Sequence, residues 1–230
     1  MSDKPSSRDQ RPAKHRGPGL HALGLERRRD GLVRIPPSYQ PDKPVPLMVL
    51  LHGAGGDAQS IVPAFQHEAD AAGALLLAPD SRGRTWDAIL GRAGPDVEFL
   101  QSAVDKVLRE FAVRPDRVAL AGFSDGASYA LSVGLGNGNL FGHILAFSPG
   151  FVMPLGRSGK PRIFISHGTA DSVLPIDMCS RSIHPQLLDA GYEVLYREFS
   201  GGHTVPPEIV NEAVSWWLAD RSDLSPPASP

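Results

Sequence analysis

The run "PLMVLLHG", Pro46 to Gly53, holds apolar residues side by side without alternation. A strand with one wet face alternates apolar and polar side chains, whereas a strand covered on both faces does not. The run therefore predicts a central strand of a mostly parallel sheet. Further segments of the same kind follow: "ALLLAPD" ending at Asp80, "RVALAGF" at Phe123, "HILAFSPG" at Gly150, "RIFISHG" at Gly168 and "EVLYREF" at Phe199. Between them lie helical patterns near Asp57–Ala72, Pro95–Phe111, Asp125–Leu135, Ile176–Ala190 and Pro206–Ala219. In the second of these, Val97, Leu100, Val104, Leu108 and Phe111 recur at helical spacing and are expected to form one buried face. Ahead of the first run, "LHALGLERRRDGLVRIPPSY" reads as an entry hairpin turning near Arg29-Asp30-Gly31, because Asp-Gly supplies a positive φ. Strand and helix in alternation give an α/β domain with helices on both faces of the sheet.

The chain has 230 residues, 41% of them hydrophobic, enough for one core and short for two catalytic domains. The expected organisation is a tail over residues 1–18, a single domain over 19–220 and a second tail over 221–230. Lys and Arg number 23 against 25 Asp and Glu, with no basic run interleaved with aromatics, so no nucleic-acid partner is expected. The apolar stretches at Val45–Leu51 and Ala74–Ala78 fall far short of the roughly 20 residues of a membrane span. One cysteine, Cys179, rules out an intramolecular disulfide and fits a reducing compartment. The opening "MSDKPSSRDQRPAKHRGPG" has no apolar core of a signal peptide. A cytoplasmic location is the expectation, and oligomeric state is not legible.

Ligands of an open parallel sheet bind beyond the carboxyl ends of its strands, so the residues following each strand carry the information. After the central strand comes His52-Gly53-Ala54-Gly55-Gly56. After "RVALAGF" comes Ser124, flanked two residues away on each side by Gly122 and Gly126. That spacing suits a sharp strand-to-helix turn with a nucleophile at its apex, where larger neighbours would collide with strand and helix. The same glycines also suit an ordinary turn with a capping serine. A serine needs a base and the base needs an acid. His203 in "SGGHTVPPE" sits on a loop after the last strand, whereas His67 and His184 fall on predicted helices and His143 begins a strand. Asp171 in "SHGTADSVLP" follows a strand, where it can serve as the acid or merely cap a helix. Asp177, the rival, falls inside the predicted helix. Attack on a carbonyl also needs N–H donors for the oxyanion. The backbone N–H of Asp125, at a helix start, and of Ala54, in the glycine-rich loop, are assigned to it. That loop lacks the downstream Lys-Ser/Thr of a phosphate cradle.

"LHGAGGD", "GFSDGAS", "HGTADSVLP" and "GGHTVP", in this order over about Gly19 to Ala219, resemble the α/β-hydrolase superfamily and its small phospholipase/carboxylesterase branch, which includes acyl-protein thioesterase-like enzymes. The order Ser124, Asp171, His203 is that of its catalytic triad. The resemblance implies a minimal α/β-hydrolase fold without a large lid domain. It also likens "SRGRTWD" to the tryptophan-bearing substrate loop of these esterases. Trp86 then lines the substrate pocket or packs the loop onto the body, and Phe151 after "AFSPG" is a second pocket candidate. Where relatives often carry Gln and a second Gly after the elbow, this chain has Asp125 and Ala127. A carboxylate beside Ser124 opposes a developing oxyanion unless it points away.

The function expected is a serine hydrolase cleaving carboxylic esters, or thioesters, of small or medium acyl chains through an acyl-enzyme on Ser124. A small-molecule ester is the only partner expected. Neither H-E-x-x-H nor paired CxxC spacing occurs, so neither metal nor cofactor is expected. "GLGNG" near Gly134 follows a helix, unlike a dinucleotide loop. Two alternatives stay open: a peptidase or polyester depolymerase on the same residues, and a catalytically silent binding protein on the same fold.

Overall fold

The computed structural model describes residues 16–87 and 94–219. The predicted tails over 1–18 and 221–230 therefore lie wholly or mostly outside the described residues. Strands β1 (Gly19–Ala22), β2 (Gly31–Ile35), β3 (Val45–Leu51), β4 (Leu75–Pro79), β5 (Val113–Phe123), β6 (His143–Phe147), β7 (Arg162–Gly168) and β8 (Val194–Phe199) form one sheet. Its order is β1-β2-β4-β3-β5-β6-β7-β8. The β1–β2 and β2–β4 pairs are antiparallel and the remainder parallel, so "PLMVLLHG" does supply an interior strand.

The missing alternation has a direct cause. Leu47, Val49 and Leu51 of β3 point into one core layer, and Met48 and Leu50 into the other. The first layer is completed by α2 (Pro95–Glu110), α3 (Asp125–Gly134) and α4 (Ser180–Asp189), through residues such as Leu100, Ala130 and Ile183. The second is completed by α1 (Ala58–Ala71) and α5 (Pro207–Leu218), through Phe65, Val210 and Trp217. Asp57 caps α1 in a reciprocal box with Ser60, two otherwise orphan donors being satisfied at once. None of the helices among the described residues is long and apolar enough to cross a membrane.

Three local expectations need correction. The β1–β2 connection is not a tight Asp-Gly turn but an eight-residue loop gathered by Asp30, whose carboxylate accepts the N–H groups of Gly24, Leu25 and Glu26. On α2 the expected Leu100 and Val104 are buried with Phe99, Ala103 and Val107, and Val97 and Phe111 pack partly buried against the same layer, but Leu108 is exposed. Helix α4 starts at Ser180 rather than Ile176, since residues 176–179 form turns after Pro175, and Asp177 stands ahead of the helix.

Sheet register sets the functional edge. Leu51 pairs with Gly122, Phe123 with Phe147, Phe147 with Ser166, and Gly168 with Phe199. The loops after β3, β5, β6, β7 and β8 therefore leave the sheet side by side.

Candidate active site

Ser124 stands between β5 and α3 at φ 57 and ψ −120, a backbone conformation that non-glycine residues rarely adopt. The surroundings enforce it: the Ser124 N–H donates to Phe147 O at 2.9 Å, and its carbonyl accepts from Ala127 and Ser128 as the helix starts. The two glycines allow the close approach. A Cβ on Gly122 would strike the Gly126 carbonyl, and one on Gly126 the carbonyls of Leu51 and His52, all far inside the 3.0 Å that real Cβ atoms respect. The alternative of a capping serine is not met, because the Ser124 side chain makes no cap hydrogen bond.

The Ser124 hydroxyl lies 2.9 Å from His203 Nε2, and His203 Nδ1 lies 2.6 Å from Asp171 Oδ2. A carboxylate can only accept, so Nδ1 carries a proton and Nε2 is left to accept from the serine. Phe123 packs against the imidazole at 4.7 Å between centroids. The loops bearing Asp171 and His203 are joined by backbone bonds, Thr169 N–H to Phe199 O and Ala170 N–H to Gly201 O. Asp171 Oδ1 accepts from the N–H groups of Val173 and Leu174 at 2.9 and 2.8 Å. Burial works against a charge on Asp171, yet the bonds from Leu174, His203 and Val173 outweigh it and hold the carboxyl below the ordinary aspartate value.

The loop after β3 runs beside the serine, with a Cβ built on Gly53 3.4 Å from that of Ser124. Neither Ala54 N–H nor Asp125 N–H meets a backbone acceptor among the described residues. The Asp125 carboxylate is engaged by the β4–α2 loop: it accepts from the Thr85 hydroxyl and, at 3.1 Å, from Trp86 N–H. It thereby ties the β4–α2 loop to the start of α3.

Trp86 does not line a pocket. It is 1% exposed, stacks on Tyr129, lies against His52 and donates its indole N–H to His52 O at 2.8 Å. The packing alternative for this residue is the one realised, because its N–H finds a partner only in the interior. Phe151 is half-buried beside the Gly150 N–H, which Ser128 Oγ anchors at 2.9 Å.

Two residues of this edge carry no role in the sequence reading. His52 accepts from Ser81 N–H through Nε2, so its Nδ1–H donates to Gly53 O at 2.8 Å, and burial keeps its pKa below the ordinary histidine range. With the Gly55 N–H bonded to Arg84 O at 2.5 Å, it fixes the loop that holds Ala54. His167 lies against Asp171, both side chains fully buried. The shared signal is a His-Gly pair closing strands β3 and β7. A cleft of about 690 Å³ opens elsewhere, between β8 and α5, lined by Arg162, Leu195, Arg197, Asn211 and Trp216. None of the residues just described borders it.

The chain is similar to several known proteins. Feruloyl esterase C of Emericella nidulans is 27% identical over 157 residues, covering 65% of this chain and 57% of that protein. Acyl-protein thioesterase 1 of Gibberella zeae is 30% identical over 110 residues, covering 43% of this chain and 46% of that one. The chain thus spans less than two thirds of the length of these curated relatives. The crystal structure of esterase PE8 superposes with a TM-score of 0.67 over 81% of this chain and 96% of that one, at 24% identity, and so supports the α/β-hydrolase fold. A family model described as phospholipase/carboxylesterase matches residues 95–217, more than half of the chain, and spans Ser124, Asp171 and His203. The chain belongs to the phospholipase/carboxylesterase family.

Proposed function

We propose that the protein hydrolyses carboxylic esters, or thioesters, of small or medium acyl chains through an acyl-enzyme on Ser124. The observation that carries this reading is the chain of hydrogen bonds from Ser124 Oγ through His203 to Asp171, at 2.9 and 2.6 Å. His203 Nε2 removes the Ser124 proton as Oγ bonds to the carbonyl carbon, and the carbonyl electron pair moves onto oxygen. The N–H groups of Ala54 and Asp125 hold that oxyanion, worth about 3 kcal/mol each in comparable sites. The tetrahedral carbon then expels the alcohol or thiol, which takes the proton from His203. Water, deprotonated by His203 in turn, releases the acid and regenerates Ser124. Asp171 stays ionised and stabilises the imidazolium that forms twice in each cycle.

Phe151, partly buried on the loop after β6, is proposed to contact the acyl group. The feruloyl esterase and acyl-protein thioesterase among the relatives set the first substrates to try: methyl hydroxycinnamates, nitrophenyl acyl esters of graded length, and acyl thioesters. A free, buried Cys179 is compatible with the expected cytoplasmic location. Rapid mixing with a nitrophenyl ester tests the mechanism. A burst of nitrophenol equal to the enzyme concentration, lost in Ser124→Ala, supports an acyl-enzyme; turnover undiminished in Ser124→Ala contradicts it.

A further inference from the structure

His167 closes β7 four residues before Asp171 and is fully buried. Its Nε2 stands 2.8 Å from Leu174 O and 3.2 Å from Asp171 Oδ2. Both are oxygens that only accept, so a hydrogen sits on Nε2. Its Nδ1 stands 2.6 Å from Ser180 Oγ, a hydroxyl at the start of α4 that is itself fully buried and can donate. Burial outweighs the support that Leu174 O and Asp171 give a second proton, so the ring is held below the ordinary histidine range.

We propose that His167 is a positioning residue for the acid: a neutral imidazole, oriented by Ser180, whose Nε2–H is shared between Leu174 O at 2.8 Å and, at 3.2 Å, the same Oδ2 oxygen that receives His203 Nδ1–H. Oδ1 of Asp171 then has Val173 N–H and Leu174 N–H, and Oδ2 has His203 at 2.6 Å with His167 at the longer 3.2 Å. Such a carboxylate cannot rotate, and its lone pairs are occupied from both sides. It remains the partner of the imidazolium without taking the proton itself. The relay is longer than a triad and runs Ser124, His203, Asp171, His167, Ser180. A buried polar chain of this kind helps when every member is satisfied and harms when one is missing.

Removing the Nε2–H makes the carboxylate more basic and freer to turn. A more basic partner holds a proton on His203 more tightly, so the acid limb of the kcat/KM profile moves to higher pH. Beside Asp171 and His203, Glu198 bears on His167, while the thiol of Cys179, next to Ser180, is raised by burial and by Asp171. Glu198, paired across from His167 on β8, is held at about 2 by Arg181 and stays charged throughout.

The inference rests on the proposed roles of Ser124, His203 and Asp171, and the experiment separates the two. In His167→Leu, kcat is expected to fall roughly tenfold, the scale of a hydrogen bond to a charged group, with KM nearly constant. The acid limb is expected to rise by about half a pH unit. His167→Gln, which restores an N–H at that point, is expected to recover at least half of the loss. Should His167→Leu not fold, histidine 15N spectra of the unaltered protein decide: His167 is expected to remain neutral and protonated at Nε2 from about pH 5 to about pH 8. A His167 that is charged in that range, or that carries its proton on Nδ1, overturns the inference. So does a folded His167→Leu variant with the kcat and pH profile of the parent while His203→Ala is inactive. Full turnover in His203→Ala instead overturns the reading of the site on which the inference stands.

Discussion

Asp125 places a carboxylate one residue from the proposed nucleophile, and its hydrogen bonds explain why this is tolerable. Its charge is engaged by the Thr85 hydroxyl and Trp86 N–H, which leaves its own N–H for the oxyanion in the proposed mechanism. In Asp125→Ala those two donors lose an acceptor, at about 1–3 kcal/mol for bonds to a charged group. Urea unfolding is expected to show that loss, together with a fall in kcat as the β4–α2 loop loosens against the elbow. Asp171→Asn leaves the shape of the site intact but lets His203 adopt the wrong tautomer. A drop of about 10³–10⁴ in kcat is expected from steady-state kinetics, with little change in KM. Ser124, Asp171 and His203 are legible in the sequence because each follows a strand end, and an open sheet puts its chemistry there. His52 and His167 are not, since their role depends on which side chains face them in the interior: Ser81 and Gly53 for one, Asp171 and Ser180 for the other. For Trp86 the sequence leaves pocket lining and packing open, and only the interior contacts to Tyr129 and His52 decide for packing.

The elbow, an element of three parts, is held by contact between backbones. In α3 alone, alanine would be favoured over glycine at position 126 by ~1 kcal/mol. The collision of its Cβ with the carbonyls of Leu51 and His52 costs more, on the order of 3 kcal/mol, because both belong to the end of a central strand that cannot move aside. Gly126→Ala is therefore expected to lower the urea midpoint and abolish turnover together. Gly142, with nothing within 4 Å of a built Cβ, is the control, and Gly142→Ala is expected to be neutral or slightly stabilising. Strands β3 to β7 are readable to within a few residues because their runs are largely apolar on both faces, whereas β8, at the sheet edge, is only partly buried. Helix and loop ends are less readable: the start of α4 and the loop around Asp30 are set by hydrogen bonds that no periodicity encodes.

Across the whole molecule, the sheet separates two core layers and leaves one edge for chemistry, and burial of histidines along that edge ties stability to pH. His52 and His167 are held below their ordinary value of 6.5 chiefly by burial, so below that pH the unfolded chain binds protons that the native state refuses. Stability is then expected to fall as pH drops from about 7 to about 5, by up to ~1.4 kcal/mol per pH unit for each histidine. Asp171, held low, adds a further loss as pH falls through its native pKa. Asp96, raised by burial above its ordinary 3.8, acts in the opposite sense, its contribution being lost as pH rises. Urea midpoints across this range check the sign; a flat profile between pH 7 and pH 5 contradicts neutral burial of the two rings. The central claim, that Ser124 is a nucleophile activated by His203, meets its most direct measurement in labelling with a fluorophosphonate. One equivalent bound covalently to the peptide containing Ser124, and none in Ser124→Ala or His203→Ala, is the expected result. An unlabelled native protein, or a label that persists in Ser124→Ala, contradicts the claim.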